Sequence, residues 1–295
     1  MRKVKFAISL LALLSAALAI FFVLKSDRAL LTHPKGIIAR SELNLIILNY
    51  LLMLIIIIPT FILLFVTAWK YRAKNSKAKY DPDQSHGVFK ELILWMIPSV
   101  VIAVMAVITW NAAHKLDPYQ PLTSEVKPLT IQVVALDWKW LFIYPEQDIA
   151  TVNFVQFPER TPIHFELSAD GSPMNSFWIP QLSGQIYSMT GMTTQLHIMA
   201  DEPGEYTGRA AEINGQGFAD MTFVVKSASQ SDFDDWIAYV KQSPLQLTDH
   251  TYNELAKPSQ NNPIALYSSM ETKNLFNAIV MKYMHPATTI DLLHN

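Results

Sequence analysis

The 295-residue sequence contains no cysteine. That excludes disulfides, thiolate zinc sites, iron–sulfur clusters, cysteine nucleophiles and a lipid anchor on a cysteine thiol. Charge is also scarce. Asp, Glu, Lys and Arg are 16% of the residues, against about 25% in ordinary soluble domains. No glycine-rich phosphate loop is present, because Gly215-Gln216-Gly217 is too short to count, and no serine nucleophile elbow occurs. The eight histidines show no close metal-ligand spacing. His164 and His197 each fall in a strand pattern and read as satisfied histidines of a sheet. Disorder over the whole length is excluded too, since 51% of the residues are hydrophobic.

What charge there is divides sharply. Residues 1–115 hold 14 Lys and Arg against 5 Asp and Glu, and residues 116–295 hold 9 against 20. The acidic second half argues against nucleic-acid binding, which needs cations facing phosphates.

Three apolar runs dominate the first part. Residues 6–24 carry no charge and follow Arg2, Lys3 and Lys5, the pattern of a signal peptide or a first membrane helix. Residues 43–69 carry no charge over 27 positions, enough at about 1.5 Å per residue to cross a ~30 Å hydrocarbon core. Pro59 should kink this helix. Residues 92–114 form the third run, with Glu91 immediately before it. Lys70, Arg72, Lys74, Lys77 and Lys79 place the loop between the last two runs in the cytoplasm, and the basic N-terminus agrees if three spans alternate. Everything after residue 115 is then outside.

The second part reads as a β domain. A proline-bearing linker at 116–128 precedes candidate strands at 129–136, 139–144, 151–157, 163–169, 186–189, 193–200, 204–213 and 221–225. Turn signals separate them, and eight short strands in about 100 residues suggest a sandwich or small barrel. Residues 231–241, 249–256 and 272–284 read as a helical tail, with Ser231 or Asp232 capping the first helix and Thr248 the second. The chain divides into 1–26, a signal peptide or first membrane helix; 27–115, a membrane hairpin with helices at about 43–69 and 92–114; 116–227, an all-β domain; and 228–295, an aromatic-rich extension. On motifs alone this is a membrane-anchored β domain with no visible active site.

Two stretches are distinctive: Asp137-Trp138-Lys139-Trp140-Leu141-Phe142-Ile143-Tyr144-Pro145-Glu146-Gln147, and Met174-Asn175-Ser176-Phe177-Trp178-Ile179-Pro180-Gln181-Leu182 with Gln185-Ile186-Tyr187-Ser188-Met189 after it. With the hairpin before them, they resemble subunit II of the haem–copper oxidases on the quinol-oxidising side, nearest to the cytochrome bo-type branch. The resemblance runs from about Pro34 to Met284. It implies a cupredoxin-like sandwich for the β domain. It implies a bacterial inner-membrane, multi-pass protein with its C-terminal domain in the periplasm. It also implies a proton-pumping complex that oxidises ubiquinol and reduces oxygen to water. The partners implied are subunit I, which holds the haem and copper, and subunits III and IV.

Relatives that oxidise cytochrome c carry a binuclear copper centre in this sandwich, on a loop Cys-x-Glu-x-Cys-x-x-x-His-x-x-Met and an upstream His. Here that spacing meets Ala210, Glu212, Asn214, Phe218 and Met221, and the upstream position is Asn175. Both thiolates and both imidazoles are missing, which implies no metal in this chain and no cytochrome c partner. Trp138 and Trp140 are expected to pack the sandwich onto subunit I. In the family a Glu at the start of the last membrane helix marks the cytoplasmic mouth of a proton channel, and Glu91 in Lys90-Glu91-Leu92-Ile93-Leu94-Trp95 matches that placement. The sequence departs from its relatives near Asp27, where they carry a lipidated cysteine. The alternatives are a cytochrome c oxidase subunit, which the lost copper ligands disfavour, and a stand-alone tethered domain acting in assembly.

Overall fold

The computed structural model describes residues 14–15, 18–19, 21–23, 25–26, 29–77, 87–172 and 174–284. The expected signal or first membrane helix at 1–26 lies largely outside them. Two compact units emerge. One is Leu43–Asp117, and the other joins the described residues up to Glu42 to those from Pro118 onward.

The helices α1 (Ile37–Lys70) and α2 (Val88–Lys115) are both long and apolar enough to cross a membrane. Their apolar residues lie largely exposed, as expected of helices whose solvent is lipid. Both extend beyond the apolar runs. α1 gains six residues at its start, and there Arg40 and Glu42, which belong to the same unit as the β domain, find partners within it. Arg40 pairs with Asp201 at 2.6 Å, and Gly184 N–H donates to Glu42 Oε1 at 3.0 Å. α2 begins at Val88, so Glu91 stands in its first turn rather than ahead of it. Pro59 sits within α1 without ending it.

The β domain is a two-sheet sandwich. Its strands are β1 (Leu129–Leu136), β2 (Lys139–Tyr144), β3 (Ile149–Val152), β4 (Phe154–Pro158), β5 (Ile163–Ala169), β6 (Met174–Trp178), β7 (Ile186–Met189), β8 (Thr194–Ile198), β9 (Gly204–Ala210), β10 (Thr222–Ala228) and β11 (Ala265–Tyr267). One sheet runs β11-β3-β2-β1-β5-β8 and the other β4-β10-β9-β6-β7. Between them Trp140, Phe142, Phe165, Phe177 and Phe223 interlock, with Phe177 and Phe223 stacked at 5.0 Å and Trp140 edge-on to Phe177 at 5.2 Å.

Every residue of β2 is buried. A sandwich strand with one wet face would alternate. β2 does not, because the C-terminal extension covers its outer face. Leu141 and Ile143, with Val134 and Leu136 of β1, pack on Leu247, Tyr252, Phe276, Ile279 and Val280. The extension carries α3 (Gln230–Val240), α4 (Asp249–Leu255) and α5 (Leu275–Lys282). Thr248 caps α4 as expected, accepting from Thr251 N–H at 3.1 Å. The cap of α3 is Ser229, two residues earlier than Ser231, and its hydroxyl accepts from Asp232 N–H at 3.1 Å.

Candidate functional site

The positions expected from the copper loop converge at one end of the sandwich. β9 ends at Ala210 and β10 begins at Thr222, and the chain between them folds back on itself. Ala210 N–H donates to Met221 C=O at 3.0 Å, closing the loop as a further rung of the ladder. Phe218 opens a short 3-10 turn, Phe218–Asp220. β6 brings Asn175 alongside, because Phe177 pairs with Ala210 and Ala211 N–H donates to Ser176 C=O at 2.9 Å.

Asn214 is the centre of the cluster. Its amide nitrogen donates to Asn175 Oδ1 and lies 3.1 Å from Met221 Sδ. Asn175 in turn donates to Ser172 Oγ at 2.8 Å. Asn175 and Met221 are both fully buried. The set therefore offers a copper pair one thioether, already accepting from an amide, and two carboxamides bonded to each other. Ala210 contributes a methyl group and Phe218 a half-buried ring packed on the core. Bridging thiolates are what such a pair requires, and nothing here substitutes for them. The residues do not fit the metal. Glu212 is half-buried at the loop's rim.

Trp138 and Trp140 take different positions. Trp138 forms the tip of the β1–β2 hairpin in the left-handed region, at φ 60°. Few aromatic residues adopt that conformation, and here the ring lies across Gly215 and Gly217, where a methyl group on Gly217 would strike it. The hairpin tip is thus fastened to the loop. Trp140 corrects the expectation of a contact with subunit I: its exposure is 0%, and its ring braces Phe177 and Phe223 inside the core. A ring with no surface has none to offer a partner chain.

Two anchors that the sequence did not disclose hold the extension against this end. Lys139, on β2, is buried and donates to Leu255 C=O at 2.7 Å, Lys257 C=O at 2.7 Å and Ser259 Oγ at 2.6 Å. Burial lowers its pKa, and Asp137 partly offsets that. Asp170 is 3% exposed and gathers three donors: Tyr252 OH at 2.5 Å, Tyr283 OH at 2.6 Å and Lys282 Nζ at 2.7 Å. Burial alone would raise its pKa. The bonds from Lys282, Tyr252 and Tyr283 outweigh burial and hold it below the usual carboxylate range. Asp170 lies two residues before Ser172, so the extension grips the turn that leads to Asn175. In the sequence, Asp170-Gly171 reads only as a turn signal.

His164 and His197 are register partners across β5 and β8, with rings stacked 4.6 Å apart. His197 Nδ1 is 3.0 Å from Pro118 C=O and is therefore the protonated nitrogen. His164 Nε2 is buried without a hydrogen-bond partner among the described residues, while a hydrogen bond with the Gln195 side chain and the nearby Glu166 carboxylate favour its charged form. Burial first, then His197, lowers the His164 pKa. Glu91 is exposed in the first turn of α2, where the helix dipole favours a carboxylate. Among the described residues no group of three or more His, Cys, Asp and Glu side chains could hold a metal ion.

Comparison with known proteins identifies the family. Residues 146–228 match the family model "Cytochrome C oxidase subunit II, periplasmic domain", and residues 241–287 match "COX Aromatic Rich Motif". The cytochrome bo(3) ubiquinol oxidase subunit 2 of Pseudomonas aeruginosa is 51% identical over 255 residues, covering 86% of this chain and 76% of the relative. The ubiquinol oxidase subunit 2 of Acetobacter aceti is 47% identical, covering 85% and 81%. The quinol oxidase subunit 2 of Bacillus cereus is 36% identical, covering 84% and 86%. A subunit II implies a subunit I beside it in a membrane complex. The chain belongs to the subunit II family of the haem–copper quinol oxidases, a subunit of a terminal oxidoreductase complex.

Proposed function

We propose that this chain is the copper-free scaffold of a proton-pumping ubiquinol oxidase in a bacterial inner membrane. The hairpin crosses the membrane with the basic 70–91 loop in the cytoplasm and the sandwich in the periplasm. Quinol is oxidised in subunit I, which holds the haems and the remaining copper, and subunits III and IV complete the complex. Cytochrome c is not a donor, because the loop that would pass its electrons on lacks the metal ligands.

The observation that carries this reading is the amide cluster of Asn175 and Asn214 on Met221. At the positions that the resemblance assigns to a metal pair, these side chains hold the loop by hydrogen bonding. Ubiquinol as substrate is supported by the names of the Pseudomonas and Acetobacter relatives. Glu91 is the proton entrance on this reading, supported by its exposed place at the cytoplasmic start of α2. Trp138, half-buried at the hairpin tip, offers its outer edge to subunit I.

The test is purification through a tag on this chain in mild detergent. A haem-bearing large subunit should accompany it, and the complex should consume oxygen with ubiquinol. A chain that purifies without haem would overturn the reading, as would a complex that oxidises reduced cytochrome c but not ubiquinol.

A further inference from the structure

A cavity of about 360 Å³ opens where residues 29–32 pass over the outer face of the second sheet. Its walls are Leu30, Leu31, Trp178 and Pro180, with Ala29 and Thr32 at one side, the Thr32 hydroxyl donating to Ala29 C=O at 2.8 Å, and Arg209 as the single charged group. Arg209 stands on β9 directly opposite Trp178 on β6. It is exposed, and among the described residues no acceptor meets its guanidinium. The nearest acid on the same face of β9, Glu205, stands opposite Lys226. The neighbouring cations are already engaged, Lys35 by Glu202 and Arg40 by Asp201.

The cavity wall is fastened to the start of α1. Pro180 is followed by Gln181, whose carbonyl accepts from Lys35 N–H at 2.7 Å and Gly36 N–H at 3.1 Å. Leu182 C=O accepts from Ala39 N–H at 3.2 Å. On the topology proposed above, on which this inference rests, residues 29–36 lie where the chain meets the outer membrane surface. An apolar slot holding one free guanidinium and a tryptophan at that depth matches an amphiphile with an anionic head. The lining argues for a lipid over a free anion, because inorganic phosphate would leave Leu30, Leu31 and Trp178 facing water.

We propose that this cavity binds a phospholipid of the outer leaflet, its phosphate on Arg209 and the start of an acyl chain along Leu30, Leu31 and Trp178. The lipid ties the sandwich to the membrane surface beside the start of α1.

The experiment uses the delipidated complex and native mass spectrometry. Dioleoyl phosphatidylglycerol is added alone, with excess inorganic phosphate, or replaced by dioleoylglycerol. The complex should retain phosphatidylglycerol in the presence of phosphate and should not retain dioleoylglycerol. Arg209→Gln should weaken retention about tenfold, the scale of one charge-assisted hydrogen bond. Equal retention by Arg209→Gln, or displacement of the lipid by inorganic phosphate, overturns the proposal. A photoreactive amino acid at position 31 should label phospholipid, and labelling chiefly of another polypeptide would show that a protein fills the slot. Haem content and ubiquinol turnover are read on the same samples. Their loss refutes the functional reading, while lipid retention by the chain itself still decides this one.

Discussion

Asp170→Asn removes the charge on which Tyr252, Tyr283 and Lys282 converge. A hydrogen bond to a charged group contributes about 1.5–3 kcal/mol, but the three donors do not count equally. Lys282 is 59% exposed in its side chain, so solvent screens most of its share. Tyr283 is 39% exposed and can return to water. Tyr252 is 7% exposed, and among the described residues its hydroxyl donates only to Asp170. The net loss is then about 2–4 kcal/mol, concentrated on α4 and α5. At 1.4 kcal/mol per tenfold, amide exchange in those helices should accelerate about 30- to 1000-fold. The strands of the core should exchange as before. Tyr252→Phe should give a smaller acceleration in the same segments. The same clasp responds to acid. The Asp170 pKa is lower folded than unfolded, so its contribution is complete above the unfolded value of 3.8 and disappears as pH falls through the folded one. Unchanged exchange in α4 and α5, or an equal acceleration across the whole sandwich, would refute the idea of a local clasp.

Lys139→Met keeps most of the side-chain length but strands two carbonyls and a hydroxyl, which should cost about 1–3 kcal/mol and lower the thermal midpoint by several degrees. His164 should make the sandwich less stable as pH drops below about 6.5, since its folded pKa is depressed and protonation favours the unfolded chain. His164→Gln should flatten that slope in denaturant titrations run between pH 5 and 8. Glu91→Gln should reduce turnover per haem while haem content stays normal, and Glu91→Asp should retain more activity. Wild-type turnover in both variants across pH would remove Glu91 from proton uptake.

Much of the sandwich was legible in the chain. The bounds of β1, β2, β5 and β7 follow directly from short β-rich runs between turn signals. The expected strand at 151–157 divides into β3 and β4 at Asn153, a non-glycine residue at φ 54° that no local pattern discloses. β6 was legible as a motif but not as a strand, because Asn175 and Ser176 are polar yet buried. β11 spans only three residues and exists through its pairing with β3. The loop from Ala210 to Met221 was legible by spacing, since every expected position stands in it or beside it. What the spacing could not convey is which amide would bond which. The clasp on Asp170 and the anchor on Lys139 join residues about 80 to 120 positions apart. Sequence periodicity carries no information at that separation.

The central claim is that hydrogen-bonded side chains fill the place where the resemblance puts the copper pair of cytochrome c-oxidising members of the superfamily. Copper analysis of the purified complex before and after loading, for the wild type and for a variant carrying Asn175→His, Ala210→Cys, Asn214→Cys and Phe218→His, tests it most directly. The wild type should gain no copper on loading. The fourfold variant should gain copper and a thiolate-to-copper absorption band. Tight, stoichiometric copper in the wild type that disappears on mutation of Met221 would contradict the account.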